Sequence, residues 1–259
     1  MKFLTAVHAD AGIRKKKNQD SVLLMEARTK GGNILFASVC DGMGGLEKGE
    51  TASAAMVNAF KNWFERGLPH LVRSIHTGTF CREWLWKQWS RLINDTSCRI
   101  EAFGKSNHIA LGTTAVGILI CREAFYTLNV GDSRVYLLTD KIDCLTKDQT
   151  FVQQEVDAGR MTYDQSLISP YRNMLLQCIG TGPAVRPVFG YGKAASGQIF
   201  LLCSDGFRHV VSEDEIYRAF CPLEMTCEQI MQQRLFEMTE IIKERQEKDN
   251  ISAVLIRTL

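Results

Sequence analysis

Apolar residues recur along this chain in two periods, and the periods predict its elements. Short apolar or alternating runs bounded by turn residues predict strands over 3–10, 21–26, 34–39, 115–121, 125–130, 134–139, 142–145, 185–191, 198–203 and 251–256. A spacing of three to four predicts a helix over about 48–64, with Ala55, Ala59 and Trp63 on one face. A second helix is predicted over 80–103. There Leu85, Trp89 and Leu92 keep helical spacing, so the run Trp84, Trp86 and Trp89 reads as packing rather than a binding face. Ser212-Glu213-Asp214-Glu215 and Thr226-Cys227-Glu228-Gln229 both match a capping box and predict helix starts, the second helix running to about 245. The short links after Gly112 imply antiparallel neighbours, with Asp140-Lys141 as a hairpin tip. Between 147 and 173 the periodicity breaks down, which predicts a short helix and then an irregular flap. No linker, repeat or low-complexity tract divides the chain, so a single domain over 1–259 is expected.

Acids stand where the strand pattern stops. Asp41-Gly42-Met43-Gly44-Gly45 follows the apolar run 34–39, Ser204-Asp205-Gly206 follows 199–203, and Asp249-Asn250 precedes 251–256. One Asp-Gly pair reads as a turn. Three carboxylates at strand ends, far apart in sequence, suggest one oxygen-rich metal site. Asp132 in Gly131-Asp132-Ser133-Arg134 interrupts two further strands, and as a bare turn residue it would only bond nearby amides. The basic run Arg14-Lys15-Lys16-Lys17 reads as a solvated loop, yet it leads directly into Asn18-Gln19-Asp20.

Composition narrows the choice. The 259 residues carry 31 basic and 29 acidic side chains, a formal net charge of +2. That balance gives no case for a nucleic-acid or membrane-surface partner. Nine cysteines, spread singly, read as reduced thiols, and a Cys221–Cys227 disulfide is not expected. There is no signal-peptide pattern at the N-terminus. No apolar run nears the roughly 20 residues that cross a bilayer. A cytoplasmic protein is therefore expected.

Eight motifs, in order and nearly end to end, resemble the metal-dependent protein serine/threonine phosphatases of the protein phosphatase 2C type. They are Gly12 through Asn18-Gln19-Asp20-Ser21, Asp41 to Gly45, Gly112-Thr113-Thr114, Asn129 to Arg134, Thr146 to Val152, Ser169-Pro170-Tyr171-Arg172-Asn173, Ser204-Asp205-Gly206 and Asp249-Asn250. Met43, where animal members carry histidine, resembles the bacterial branch. The resemblance implies an α+β fold, a four-layer α-β-β-α sandwich of two mainly antiparallel sheets flanked by helices. It implies two Mn²⁺ or Mg²⁺ ions and a metal-activated water that attacks phosphoserine or phosphothreonine. Asp41 would bridge the ions, the Gly42 carbonyl would bind the second, and Asp205 and Asp249 would complete the first. Asp20 would act through water, and Asp132 with Asp205 would hold a third, looser ion. Oxygen ligands suit these cations better than zinc, and no cysteine nucleophile is needed.

The chain also departs from the family. Lys15 stands where an arginine grips phosphate, with Arg14 beside it, so either is a candidate. Gln19 replaces a glutamate, Met43 cannot protonate a leaving alkoxide, and Phe207-Arg208-His209 replaces an acidic stretch without an evident consequence. Expected partners are phosphoproteins, including targets of a bacterial serine/threonine kinase, and a monomer is expected. Two other readings share the fold, a non-enzymatic phosphoprotein-binding regulator and a small-molecule phosphohydrolase.

Overall fold

The computed structural model describes residues 1–44, 48–182 and 184–259; Gly45, the last residue of the Asp41 stretch, lies outside them. In chain order the strands and helices are β1 (Phe3–Asp10), β2 (Ser21–Thr29), β3 (Gly32–Cys40), β4 (Gly42–Gly44), α1 (Gly49–His76), α2 (Arg82–Asn107), β5 (Leu111–Thr113), β6 (Ala115–Cys121), β7 (Ala124–Val130), β8 (Arg134–Leu138) and β9 (Ile142–Cys144). There follow α3 (Phe151–Asp157), α4 (Tyr163–Ile168), β10 (Val188–Lys193), β11 (Ile199–Cys203), α5 (Asp205–Arg208), α6 (Glu213–Ala219), α7 (Glu228–Glu244) and β12 (Ile251–Thr258).

Two five-stranded antiparallel sheets stack face to face, ordered β1-β12-β11-β8-β9 and β10-β7-β6-β3-β2. The period of two explains the stacking. In β3, Leu35, Ala37 and Val39 face the other sheet, where they join Phe200, Leu202, Val254 and Ile256. The alternate residues Ile34, Phe36 and Cys40 point outward into the packing of α1 and α2, against Phe60, Phe64 and Trp89. In β11, Ile199, Leu201 and Cys203 likewise turn outward, toward Met231, Leu235 and Ile242 of α7. Both faces of these strands are therefore buried, and each fully buried Leu, Ile or Phe contributes about 1.5–3 kcal/mol. The result is the expected four-layer α-β-β-α sandwich. Trp89 is buried in this packing, and Trp86 stacks on Phe189, as core packing requires. All nine cysteines are free. Among the described residues no helix is long and apolar enough to cross a membrane.

The structure corrects the pattern in four places. First, α1 does not stop near 64. It continues through Pro69 to His76 because Leu71 is buried and Val72 and Ile75 pack beside it. Second, β7 and β8 are not antiparallel neighbours despite their short link: β7 pairs with β6 and β10, β8 with β9 and β11. The link crosses between the sheets at Gly131, whose φ of +100° suits glycine. Third, β10 begins at Val188, since Asn94 of α2 pins Val185 by both its amide and its carbonyl, at 2.9 and 3.1 Å. Fourth, Thr226 is not a cap. Helix α7 starts one residue later than the box requires, with Cys227 at its N-cap position and no side-chain cap. Ser212 does form its capping box, and Thr162 forms one that the sequence reading passed over. The segment 147–173 holds two short helices, α3 and α4, rather than one.

Candidate active site

The acids converge from both sheets. Asp41 directly follows β3, Asp20 precedes β2, Asp132 sits at the β7–β8 crossing, Asp205 opens α5 after β11, and Asp249 precedes β12 by one residue. Each has a built support. The Asp41 N–H donates to the Thr114 hydroxyl at 3.0 Å, and the Asp41 carbonyl accepts from the Thr114 N–H at 2.8 Å and the Thr113 hydroxyl at 2.9 Å. Thr114 also meets the Ser133 hydroxyl at 2.9 Å, so the Gly112-Thr113-Thr114 motif ties Asp41 to the corner that carries Asp132. Asn250 staples the 11–19 loop. It accepts from the Gln19 N–H at 2.9 Å and donates to the carbonyls of Ala11 and Lys17 at 3.0 and 3.3 Å. The Gly42 N–H donates to the Gln19 carbonyl at 3.2 Å. A Cβ on Gly42 would collide with the carbonyl oxygens of Gly49 and Gln19, so only glycine lets β4, α1 and this loop meet.

Four of these acids, Asp20, Asp41, Asp132 and Asp205, are buried, at 9 % exposure or less, while Asp249 is half-buried. Neither oxygen of Asp20 receives a well-formed hydrogen bond, although the hydroxyls of Ser204 and Ser252 lie close enough to temper it. Asp205 Oδ1 is buried without a partner as well. Burial, and then mutual repulsion, makes the ionised forms costly. Asp20 is pushed up to about 7 by burial and then by Asp205 and Asp249. Burial, and then repulsion from Asp20, Asp205, Asp249 and Asp132, raises Asp41 well above the carboxylate range. Asp205 rises to about 6 through burial and Asp249, against the pull of Arg208. Asp132 rises to about 7 through burial and Asp205, again opposed by Arg208.

Four crowded, buried carboxyls, with orphaned oxygens on Asp20 and Asp205, suit a hard divalent cation and little else. Among the described residues no three acid, histidine or cysteine side chains close tightly around one point. The arrangement is a shared basin of mutually repelling carboxyls.

The two phosphate-gripping candidates separate. Lys15 Nζ lies 3.2 Å from Asp249 Oδ1, at the rim of the basin. Arg14 is exposed and makes no ion pair among the described residues. Sequence reasoning missed several neighbours of the acids. Arg208 donates to the Asp132 carbonyl at 2.9 Å and to Asp148 Oδ2 at 3.0 Å. His209 places Nε2 3.5 Å from Asp205 and Nδ1 3.7 Å from Glu247. Arg134 grips both oxygens of Asp148, at 2.8 and 2.9 Å. The only signal for Arg208 and His209 was their departure from the acidic stretch; apart from the one-turn contact of His209 with Asp205, their contacts join distant parts of the chain and leave no local pattern. A cavity of about 610 Å³ beside them is lined by Arg208, His209 and Asp148, by Arg172, and by Tyr163 and Leu167 of α4.

Known proteins share this arrangement of elements. The family model for protein phosphatase 2C matches residues 9–244. The serine/threonine protein phosphatase PstP of Mycobacterium tuberculosis is 31% identical over 215 residues, covering 83% of this chain and 38% of that protein. The chain thus spans well under half the length of that relative. The Streptococcus agalactiae serine/threonine phosphatase has the same fold, with a TM-score of 0.83, 24% identity and full coverage of both chains. The catalytic domain of PstP, solved in complex with two manganese ions, superposes with a TM-score of 0.77 at 26% identity, covering 98% of this chain and 97% of that one. With its sandwich, its ordered motifs and this match over most of its length, the chain belongs to the protein phosphatase 2C family.

Proposed function

We propose that this chain hydrolyses phosphoserine and phosphothreonine esters of proteins at a centre of two divalent cations, Mn²⁺ or Mg²⁺. The observation that carries this reading is the buried cluster of Asp20, Asp41 and Asp205, whose carboxyls repel one another and in which Asp20 and Asp205 carry oxygens without partners. Asp41, Asp205 and Asp249, with the Gly42 carbonyl, hold the ions, and Asp20 acts from behind them. Bound there, the ions supply Lewis acidity toward the ester and the attacking water. The chain's own residues do the rest. Thr113 and Thr114 fix the Asp41 backbone, Asn250 fixes the loop that carries Lys15, and the sheets exclude water from the inner carboxylates. Lys15, on the rim, draws the substrate phosphate toward the acids as a point charge, without arginine's bidentate fork.

Several observations favour a protein substrate over a small phosphorylated metabolite. The cavity beside Arg208 and His209 is lined by Tyr163 and Leu167, and α4 and the stretch after it expose Tyr163, Leu167, Ile168, Tyr171 and Met174 to solvent. Exposed apolar groups next to a site suit a polypeptide partner. We read the chain as one phosphatase unit, because its acids come from strands at both ends of the sequence. The test is phosphopeptide hydrolysis by metal-stripped protein. Activity that returns with Mn²⁺ and vanishes with chelator supports the reading. Full turnover in excess chelator, or turnover of sugar phosphates alone, ends it.

A further inference from the structure

Two groups the sequence marked as departures lie against the two acids that the family resemblance assigns to a third ion, Arg208 against Asp132 and His209 against Asp205. Arg208 is largely buried, with a side-chain exposure of 13%. It bonds the backbone carbonyl of Asp132 and one oxygen of Asp148. Asp148 is already held through both oxygens by Arg134. One buried carboxylate therefore faces two guanidinium groups. Half-exposed Glu213, 3.6 Å from Arg134, is the other acid paired with this set. Guanidinium does not lose its proton in proteins. Asp148 and Glu213 match the two guanidinium groups in number, but the fixed cation Arg208 lies directly against Asp132, bonded to its backbone carbonyl. A third divalent cation on Asp132 and Asp205 would have to settle next to that fixed cation, with few protein oxygens to hold it. These residues do not fit a third ion.

We infer that Arg208 is a built-in cation that stands in place of a third metal ion at Asp132, so that the centre takes two ions and no more. The inference rests on the two-ion reading above. Asp148 is the residue that positions Arg208, and Arg134 positions Asp148. Asp132 is then a partner of Arg208 rather than a metal ligand. In this role Arg208 supplies permanently, at any metal concentration, positive charge that a loosely held ion would supply only at high concentration.

Metal-stripped protein titrated with Mn²⁺, with bound ions counted by calorimetry and by the loss of the free-Mn²⁺ paramagnetic signal, tests this directly. The wild type should bind two ions per chain, and Asp132→Asn should still bind two. Arg208→Met, which removes the charge and keeps the bulk, should gain a third, weaker site. Arg208→Lys should remain at two. The dependence of kcat on Mn²⁺ should rise in one phase for the wild type and in two for Arg208→Met. Three ions in the wild type, falling to two in Asp132→Asn, would overturn the inference and leave the two-ion reading standing. No Mn²⁺ bound at all, with chelator-insensitive activity, would instead end the reading itself. Should Arg208→Met fail to fold, the wild-type and Asp132→Asn counts still decide.

Discussion

Two buried charged clusters lie side by side at this end of the sandwich, and they are built on opposite principles. In one, Arg134, Asp148 and Arg208 satisfy each other with bonds of 2.8–3.0 Å. In the other, Asp20, Asp41, Asp132 and Asp205 are all acids and buried, and Asp20 and Asp205 leave oxygens without partners. The first lowers the cost of burying charge by pairing it. The second accepts that cost and keeps the charge available. Matched charge holds the shape of the site, whereas unmatched negative charge is what a cation can use. The two meet at Asp132, where Arg208 reaches from the matched cluster to the unmatched one.

Breaking the matched cluster should damage the fold more than the chemistry. Asp148→Ala leaves two buried guanidinium groups without their shared carboxylate, and loss of one partner from a buried pair costs about 3–5 kcal/mol. Chemical denaturation should show that loss of stability, and an unchanged midpoint would mean the network is not structural. The unmatched cluster should behave in the opposite way. Asp41→Asn, Asp205→Asn and Asp249→Asn should each lower kcat by about 10²–10³-fold, the scale of a lost transition-state contact. Asp41→Asn and Asp205→Asn, with less repulsion inside the basin, should melt no lower than wild type when both are metal-free. Near wild-type turnover at saturating Mn²⁺ in any of the three would remove that residue from the site. On the rim, Lys15→Ala should reduce kcat/KM by an amount equivalent to about 1.5–3 kcal/mol, the worth of a charge-assisted contact. Arg14→Ala should change it little, and the reverse result would move the phosphate grip to Arg14.

The contrast also explains what could be read from the chain. The strands were legible because strands buried on both faces read as short, continuous apolar runs, as in β3 and β11. Asp41, Asp205 and Asp249 were legible because a sequence shows where an apolar run stops. Partners were not. Arg208 and Asp148 stand 60 residues apart, His209 and Glu247 stand 38 apart, and only the stacking of two sheets brings them together. The β7–β8 link misled for the same reason. A three-residue connection reads as a hairpin, and nothing local says that Gly131 sends the chain into the other sheet. The Pro69 region of α1 concealed a helix whose continuation depends on tertiary burial of Leu71 rather than on local propensity.

The last prediction separates the clusters by pH in metal-free protein. Asp20 and Asp132 are pushed up to about 7 and Asp205 to about 6, first by burial, whereas carboxyls in the unfolded chain titrate near 4. Between about pH 4 and 7 the folded chain holds protons that the unfolded chain has released. Stability from this source therefore falls as pH rises. The penalty is absent below the unfolded value and complete above the folded one. His8 and His209, both lowered chiefly by burial, act with the opposite sign: they add stability as pH rises through the unfolded histidine value near 6.5 and little above it. The acids should therefore stand out from about pH 6.5 to 7.5, where metal-free wild type should lose a few degrees of Tm, at about 2–4 °C per kcal/mol for a chain near this size. Asp20→Asn should flatten that slope, and saturating Mn²⁺ should reverse it, because the ionised acids are the form that binds the cation. A metal-free Tm that rises through this window, unaltered by Asp20→Asn, would mean that the acids are solvated rather than confined. The distinction between the two clusters would then fail.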